Sequence, residues 1–227
     1  MVLNDFISLL FPNACFICDE GLAKGEKYLC TGCIYRLPKT NSHLLRENPL
    51  IQRFHGILEV KAVISYLNFI KKGSVPKLFY KMKYENFAEI GEILGRWFGQ
   101  DLKESGFKEE YDIVMPVPLH KSKLRKRGYN QSDGIAKGIA EILELPWDNK
   151  SLFRSIKNIS QTSMGRIERW KNVENIFTVK NQENVEDKRI LLVDDVLTTG
   201  ATLEACGAAL LNAGCSELGI ATLAAAQ

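Results

Sequence analysis

No uninterrupted apolar stretch in this 227-residue chain reaches the ~18 residues that a membrane-spanning helix needs, so the sequence gives no reading of a membrane span. The first twelve residues, MVLNDFISLLFP, lack the basic opening of a secretion signal, carry Asp5 and offer no cleavage site before Pro12. They are expected to form a short docking helix, and the chain is expected to be cytoplasmic. Excess charge is also scarce. Thirty Lys and Arg against 27 Asp and Glu leave a formal charge of +3, so the field of the whole molecule names neither nucleic acid nor membrane as a partner, although local basic patches remain. Histidine occurs three times, and His55 and His120 have no neighbours at ligand spacing, so neither is assigned to a metal or to catalysis. There is no internal repeat and no low-complexity tract. Apolar residues are plentiful, 45% of the chain, enough to bury a real core and to exclude disorder.

The six cysteines are unevenly placed, with four between positions 15 and 33 and with Cys206 and Cys215 in an Ala-rich C-terminal segment. Cys15-x2-Cys18 and Cys30-x2-Cys33 form two knuckles eleven residues apart, whose sulfurs can meet around one tetrahedral ion. Two disulfides are the alternative, disfavoured without a secretion signal. Four thiolates close the coordination shell, so the expected Zn2+ is structural, with Cys15, Cys18, Cys30 and Cys33 as its ligands. Its binding energy helps to fold a segment too small for a core of its own. Cys206 and Cys215 read as small core residues.

Three regions are expected: an N-terminal helix with the four-cysteine module over residues 1–45, a connector over 46–56, and a larger domain over 57–227. In that domain VKAVISYL (60–67) reads as a strand, and the spacing of Leu78, Met82, Ile90, Leu94 and Trp97 predicts one or two helices over 77–103. YDIVMPVPL (111–119) reads as a buried strand ending at its prolines. A helix near 132–144, another near 162–172, strands at 176–180 and 190–193, a helix over 202–213 and a strand over 217–225 follow. Strands alternating with helices predict an α/β fold with a mostly parallel sheet flanked by helices on both faces.

The stretch RILLVDDVLTTGAT (189–202) carries the chemistry. Ile190 to Val193 are apolar and β-favouring, and ligands bind beyond the carboxyl ends of strands in such sheets, which places Asp194 and Asp195 at a site mouth. Adjacent carboxylates there repel one another and lose hydration unless donors such as vicinal hydroxyls, or a cation, complete the site. The following residues prefer the opposite partner. Thr198, Thr199 and Thr202 offer hydroxyls, Gly200 lets the backbone come close, and amides at a helix N-terminus favour an anion. A ligand with a diol at one end and a phosphate at the other, a sugar phosphate, satisfies both.

Residues 190–202 resemble the phosphoribosyl-diphosphate (PRPP) motif of type I phosphoribosyltransferases. That resemblance assigns Asp194 and Asp195 to the ribose hydroxyls and Thr198, Thr199, Gly200, Ala201 and Thr202 to the 5′-phosphate. It also implies the type I phosphoribosyltransferase fold. Purine-salvage relatives often carry a carboxylate where this chain has Thr198, so the loop supplies no obvious general base.

A diphosphate leaving group needs cations and amides. Pro116 and Val117 end a strand where type I relatives place their diphosphate loop, and HKSKLRKRGYNQS follows, with five of the seven residues 121–127 Lys or Arg. Such a run is most often a solvated face. Beside a diphosphate it is expected to be a flexible loop that closes over the ligand, hinged at Gly128, with Arg125 and Arg127 gripping phosphate oxygens. MPVPLHKSKLRKRGYNQS, Arg154, Gln161 and YKMKY, together with the Cys-rich start, resemble ComF-like phosphoribosyltransferase homologues associated with DNA uptake in competent bacteria. Lys83, Gln161, Arg169 and Asn175 fall on recurrent positions of that family, and Lys83 is counted with the PRPP-binding residues.

The resemblance implies Mg2+-assisted transfer of phosphoribosyl from PRPP to an unidentified acceptor, with release of diphosphate. The alternative is a non-catalytic accessory protein of competence or DNA processing, with single-stranded DNA or competence proteins as partners. Fold alone does not choose between them.

Overall fold

The apolar run at 190–193 lies in the middle of a central strand in the computed structural model of the chain, which describes residues 14–45, 47–84, 87–154 and 176–226. In chain order the elements are helix α1 (Thr31–Tyr35), strand β1 (Ala62–Phe69), helices α2 (Val75–Tyr84), α3 (Ala88–Glu104) and α4 (Phe107–Glu110), and strand β2 (Ile113–Pro116). Helices α5 (Lys121–Arg127) and α6 (Gln131–Leu143) follow, then strands β3 (Leu152–Arg154), β4 (Phe177–Val179) and β5 (Arg189–Leu197), helix α7 (Ala201–Asn212) and strand β6 (Glu217–Ala226). The main sheet runs β1-β6-β5-β2 with every neighbouring pair parallel, while β3 and β4 form a separate antiparallel ribbon.

Burial explains why β5 is the centre. Ile190, Leu191, Leu192 and Val193 are all 0% exposed, each worth roughly 1.5–3 kcal/mol of burial. Leu191 and Val193 pack with Met82, Leu94 and Ile135 from α2, α3 and α6. Ile190 and Leu192 pack on the other side with Leu203, Cys206 and Leu210 of α7. Cys206 and Cys215 are buried core residues, as their surroundings in the sequence imply. Helices α3 and α6 meet backbone to backbone: a Cβ on Gly95 would lie 2.4 Å from the Ile135 carbonyl oxygen, and one on Gly138 2.2 Å from that of Glu92. This close approach sets the position of α6, whose first turn carries Ser132.

Both edges of the sheet are closed. Residues 38–40 run antiparallel along β1, with the Thr40 amide donating to the Tyr66 carbonyl at 2.9 Å and Asn68 to Pro38 at 2.8 Å. On β2, the Val114 amide donates to Pro146 at 2.9 Å and that of Asp148 to Val114 at 3.1 Å. Pro116, which has no N–H, ends an edge strand and so costs the main ladder no bond.

Several expectations change in detail. The strand read at 190–193 continues to Leu197, because β6 keeps pairing with it through Asp194↔Thr222, Val196↔Ala224 and Leu197↔Ala225. The loop expected over 194–201 therefore contracts to 198–200. The strand read at 111–119 is four residues long. The basic run expected as a loop is helix α5. The N-terminal docking helix, the helix near 162–172, and Gln161, Arg169 and Asn175 lie outside the described residues. Among the described residues no helix is long and apolar enough to cross a membrane.

Candidate functional site

Asp194 and Asp195 stand near the carboxyl end of β5, and each is held by a different element. Asp194 Oδ1 accepts hydrogen bonds from Ser132 Oγ at 2.8 Å and from the Asp195 amide at 2.8 Å. Asp195 Oδ2 pairs with Lys83 Nζ, on the last turn of α2, at 2.6 Å. Among the described residues Asp194 Oδ2 and Asp195 Oδ1 accept no hydrogen bond, so one oxygen of each carboxylate is left without a donor. Burial, together with the neighbouring Asp195 charge, raises the Asp194 carboxyl to about 7, opposed by Ser132, the Asp195 amide and Lys83.

The turn after β5 is shaped for close approach. Gly200 has φ +90°, and a Cβ there would lie 3.3 Å from Phe54 Cζ and 3.4 Å from Glu204 Oε1. A side chain would meet both backbone strain and a buried ring, which is why glycine occupies this position. Gly200 is also the N-cap of α7, and its carbonyl accepts the first helical bond, from Glu204, at 2.9 Å. The preceding amides of the helix have no helical acceptor. Arg53 reaches the same turn, donating from Nη1 to the Thr198 carbonyl at 2.9 Å and from Nη2 to the Ala226 carbonyl at 2.6 Å. A concavity of about 40 Å³ runs along Asp194, Val196 and residues 198–203.

Pro116 and Val117 adjoin this mouth through the β2–β5 ladder: Pro116 is in register with Val193, and the Val117 amide donates to the Val193 carbonyl at 2.8 Å. Asn130, buried at the start of α6, holds the Val117 carbonyl at 2.9 Å. The basic run is helical for identifiable reasons. His120 Nδ1 accepts from the Ser122 amide at 3.2 Å, Lys, Arg and Leu are good helix formers, and Gly128, with φ +79°, closes the end with a 2.7 Å bond to the Leu124 carbonyl. Arg127 Nη1 donates to Gln131 Oε1 at 2.8 Å, and its guanidinium lies 5.7 Å from the Tyr84 ring centroid. Arg125 is exposed and makes no hydrogen bond or ion pair among the described residues.

The structure thus brings Lys83 to the acid pair, sets Pro116 and Val117 beside it, and links Arg127 to the end of α2 that carries Lys83. It gives Arg125 no tie to the mouth. Ser132, Asn130, Arg53 and Phe54 are additional supports that motif spacing did not identify. Ser132 and Asn130 sit inside the basic stretch and its sequel but carry no pattern of their own, and Arg53 acts across 145 residues of chain.

At the other end of the chain, the Sγ atoms of Cys15, Cys18, Cys30 and Cys33 all lie within 4.8 Å of one another, and none of the four is in a disulfide. The Cys30 amide donates to Cys15 Sγ and the Cys33 amide to Cys30 Sγ, both at 3.4 Å. Four converging sulfurs with amide donors fit a tetrahedral Zn2+ with a closed shell. The module rests on α2 and α3 through Phe16, Tyr28 and Phe87, whose rings lie 4.7–5.7 Å apart, and through Lys77, which donates to the Ile17 carbonyl at 2.7 Å. Elsewhere among the described residues no three His, Cys, Asp or Glu side chains converge as an ion cage.

Residues 124–227 match the Phosphoribosyl transferase domain family. The chain is 26% identical over 231 residues to the DNA utilization protein YhgH of Escherichia coli O157:H7, covering 92% of this chain and 96% of that protein. It is 29% identical over 153 residues to Competence protein F of Haemophilus influenzae, covering 66% of this chain and 67% of that one. Against Competence protein ComFC of Bacillus subtilis it is 28% identical over 222 residues, 91% of this chain and 82% of the relative. With a parallel sheet that ends in an acid pair and a glycine turn, and with these similarities along most of its length, the chain is similar to ComF-like phosphoribosyltransferase homologues and has the type I phosphoribosyltransferase fold.

Proposed function

We propose that the protein binds PRPP and transfers its phosphoribosyl group to an acceptor, releasing diphosphate. The observation that carries this reading is the pair of carboxylate oxygens, Asp194 Oδ2 and Asp195 Oδ1, that accept no hydrogen bond among the described residues, beside a turn whose position 200 has a positive φ and little room for a side chain. In this reading the acid pair accepts hydrogen bonds from the two ribose hydroxyls. Thr198 to Thr202 receive the 5′-phosphate. Pro116, Val117, Arg125 and Arg127 serve the diphosphate, and Lys83 keeps the charge of the acid pair in balance.

The bond from the anomeric carbon to the diphosphate oxygen breaks, a bond from that carbon to the acceptor forms, and the electron pair leaves with diphosphate. Positive charge develops on the ribose, and the adjacent carboxylates stabilise it. Mg2+ held with the ligand at Asp194 and Asp195 would supply further neutralisation of the departing diphosphate. Residues 196–200 contain no carboxylate or imidazole, so this loop favours acceptors whose nucleophile needs no base from it. Residues 1–45 would be the zinc module and 57–227 the transferase domain, with 46–56 joining them.

Calorimetry with PRPP in Mg2+ and an assay of diphosphate release over a panel of bases test the proposal. Release for at least one acceptor that disappears in Asp195→Asn supports it. The missing loop base favours one rival, an accessory protein. No release for any acceptor, with single-strand DNA binding that survives Asp195→Asn, would select it. Zinc content measured by elemental analysis is expected at one ion per chain and below half of that in Cys18→Ser.

A further inference from the structure

We infer that Arg53 is the positioning residue of the 5′-phosphate turn, an inference that rests on the PRPP reading above. Arg53 belongs to a short 3-10 turn, Ile51–Phe54. Its two donors end on the Thr198 and Ala226 carbonyls, at 2.9 Å and 2.6 Å, and Leu197 and Ala225, the residues just before these, are register partners on β5 and β6. One rigid guanidinium fork therefore ties two strand ends together where the sheet opens to the site.

The consequence follows from peptide geometry. In a trans peptide the carbonyl and the following N–H point to opposite sides, so a Thr198 carbonyl held toward Arg53 turns the Thr199 N–H away from it. The next residue of the same turn, Phe54, is 0% exposed and lies beside Gly200, where its ring would sit 3.3 Å from an added Cβ. Among the described residues Arg53 forms no ion pair, and its guanidinium adds positive charge beside this turn. Arg53 touches carbonyls rather than the ligand: it sets the direction of an amide that the phosphate uses.

The test compares a ligand carrying the 5′-phosphate with one lacking it, by calorimetry in Mg2+ on the full chain. Arg53→Met is expected to weaken ribose 5-phosphate at least about tenfold, the scale of a hydrogen bond to a charged group, while inorganic diphosphate changes by less than about twofold. In the native protein the Thr199 amide resonance moves downfield with ribose 5-phosphate, and in Arg53→Met that movement is lost. Arg53→Lys, which keeps the charge without the fork, shows the same selectivity at smaller size and carries the test if Arg53→Met does not fold. Equal losses for both ligands, an unchanged affinity for ribose 5-phosphate, or a native Thr199 amide that does not respond overturns the inference. A native protein that binds neither PRPP nor ribose 5-phosphate overturns the PRPP reading itself, and this inference with it.

Discussion

The two ends of the candidate site differ in how much of the protein holds them. At the β5 end, Asp194 receives two hydrogen bonds, Asp195 an ion pair, the Thr198 carbonyl a guanidinium and Gly200 a buried ring. At the α5 end, a seven-residue helix is exposed except at Arg127, whose ties are a bond to Gln131 and the face of Tyr84. A phosphate kept throughout a reaction gains from partners already ordered by folding. A diphosphate that must depart is better served by cations that are lightly held. On the proposed reading, the difference in packing separates the end that anchors from the end that releases.

The largest effect should come from disturbing the anchored end. Gly200 and Gly128 both have positive φ, +90° and +79°, but a Cβ at Gly200 meets Phe54 and Glu204 whereas one at Gly128 meets nothing within 4 Å. Gly200→Val is expected to lower stability by about 1–3 kcal/mol through the strained backbone alone, with crowding added, and to abolish PRPP binding. Gly128→Ala carries only the backbone cost, about 1 kcal/mol, and keeps PRPP affinity within about threefold. Chemical denaturation and calorimetry on the two variants measure this directly. Similar losses of affinity would erase the distinction between the two ends.

An intermediate effect is expected from pH. The folded Asp194 carboxyl is raised to about 7, against an ordinary carboxylate value of about 3.9 in the unfolded chain. Between those values the folded state holds a proton that the unfolded chain has released, so the stability this group contributes is greatest at the acid end and is lost as pH rises through about 7. Binding runs the other way, because an ionised carboxylate is the stronger acceptor for a ribose hydroxyl. PRPP affinity should fall as pH drops from about 8 to 6, approaching tenfold per unit below 7. In Asp194→Asn both trends should flatten. Affinity that still falls equally steeply in that variant would assign the titration to another group, and the phosphate itself, which gains a proton near pH 6, would then be the first suspect.

Which of these features the sequence could show depended on how local their causes are. Ile190 to Val193, the acid pair and Gly200 lie within eleven residues, and their roles follow from burial, repulsion and backbone freedom along that stretch. The cysteine knuckles are legible for the same reason, since two pairs of sulfurs at fixed spacing need only one ion to explain them. The extension of β5 through Asp194 to Leu197 is not legible, because polar residues there stay in the ladder only through pairing with β6. Helix α5 was readable as charge but not as helix, since its cap is a histidine ring accepting the Ser122 amide. Arg53 is the least legible of all, and Lys83 is marked only by the family resemblance, without a role that its neighbours in the sequence explain. Arg53 meets its carbonyls, and Lys83 its carboxylate, only after the sheet has formed, and no periodicity records such a meeting.

The smallest expected effects, at the lightly held end, sharpen the comparison most. Arg125 has no partner among the described residues, so Arg125→Ala should change stability by no more than about 0.5 kcal/mol. Arg127→Ala removes a bond to Gln131 and a contact with Tyr84 and should cost about 1 kcal/mol, leaving the buried Gln131 amide with one partner fewer. If the helix serves a departing diphosphate, both variants weaken inorganic diphosphate binding by a few-fold. Their losses should shrink as ionic strength rises from about 0.01 to 0.15 M, because exposed charges are screened over about 8 Å at the upper value. Ribose 5-phosphate, anchored by the other end, should bind both variants as it binds the native chain. A titration series with each ligand at several salt concentrations distinguishes these outcomes. An equal loss for ribose 5-phosphate would mean that α5 reaches across the whole site, and its exposed position would then describe only the unliganded protein.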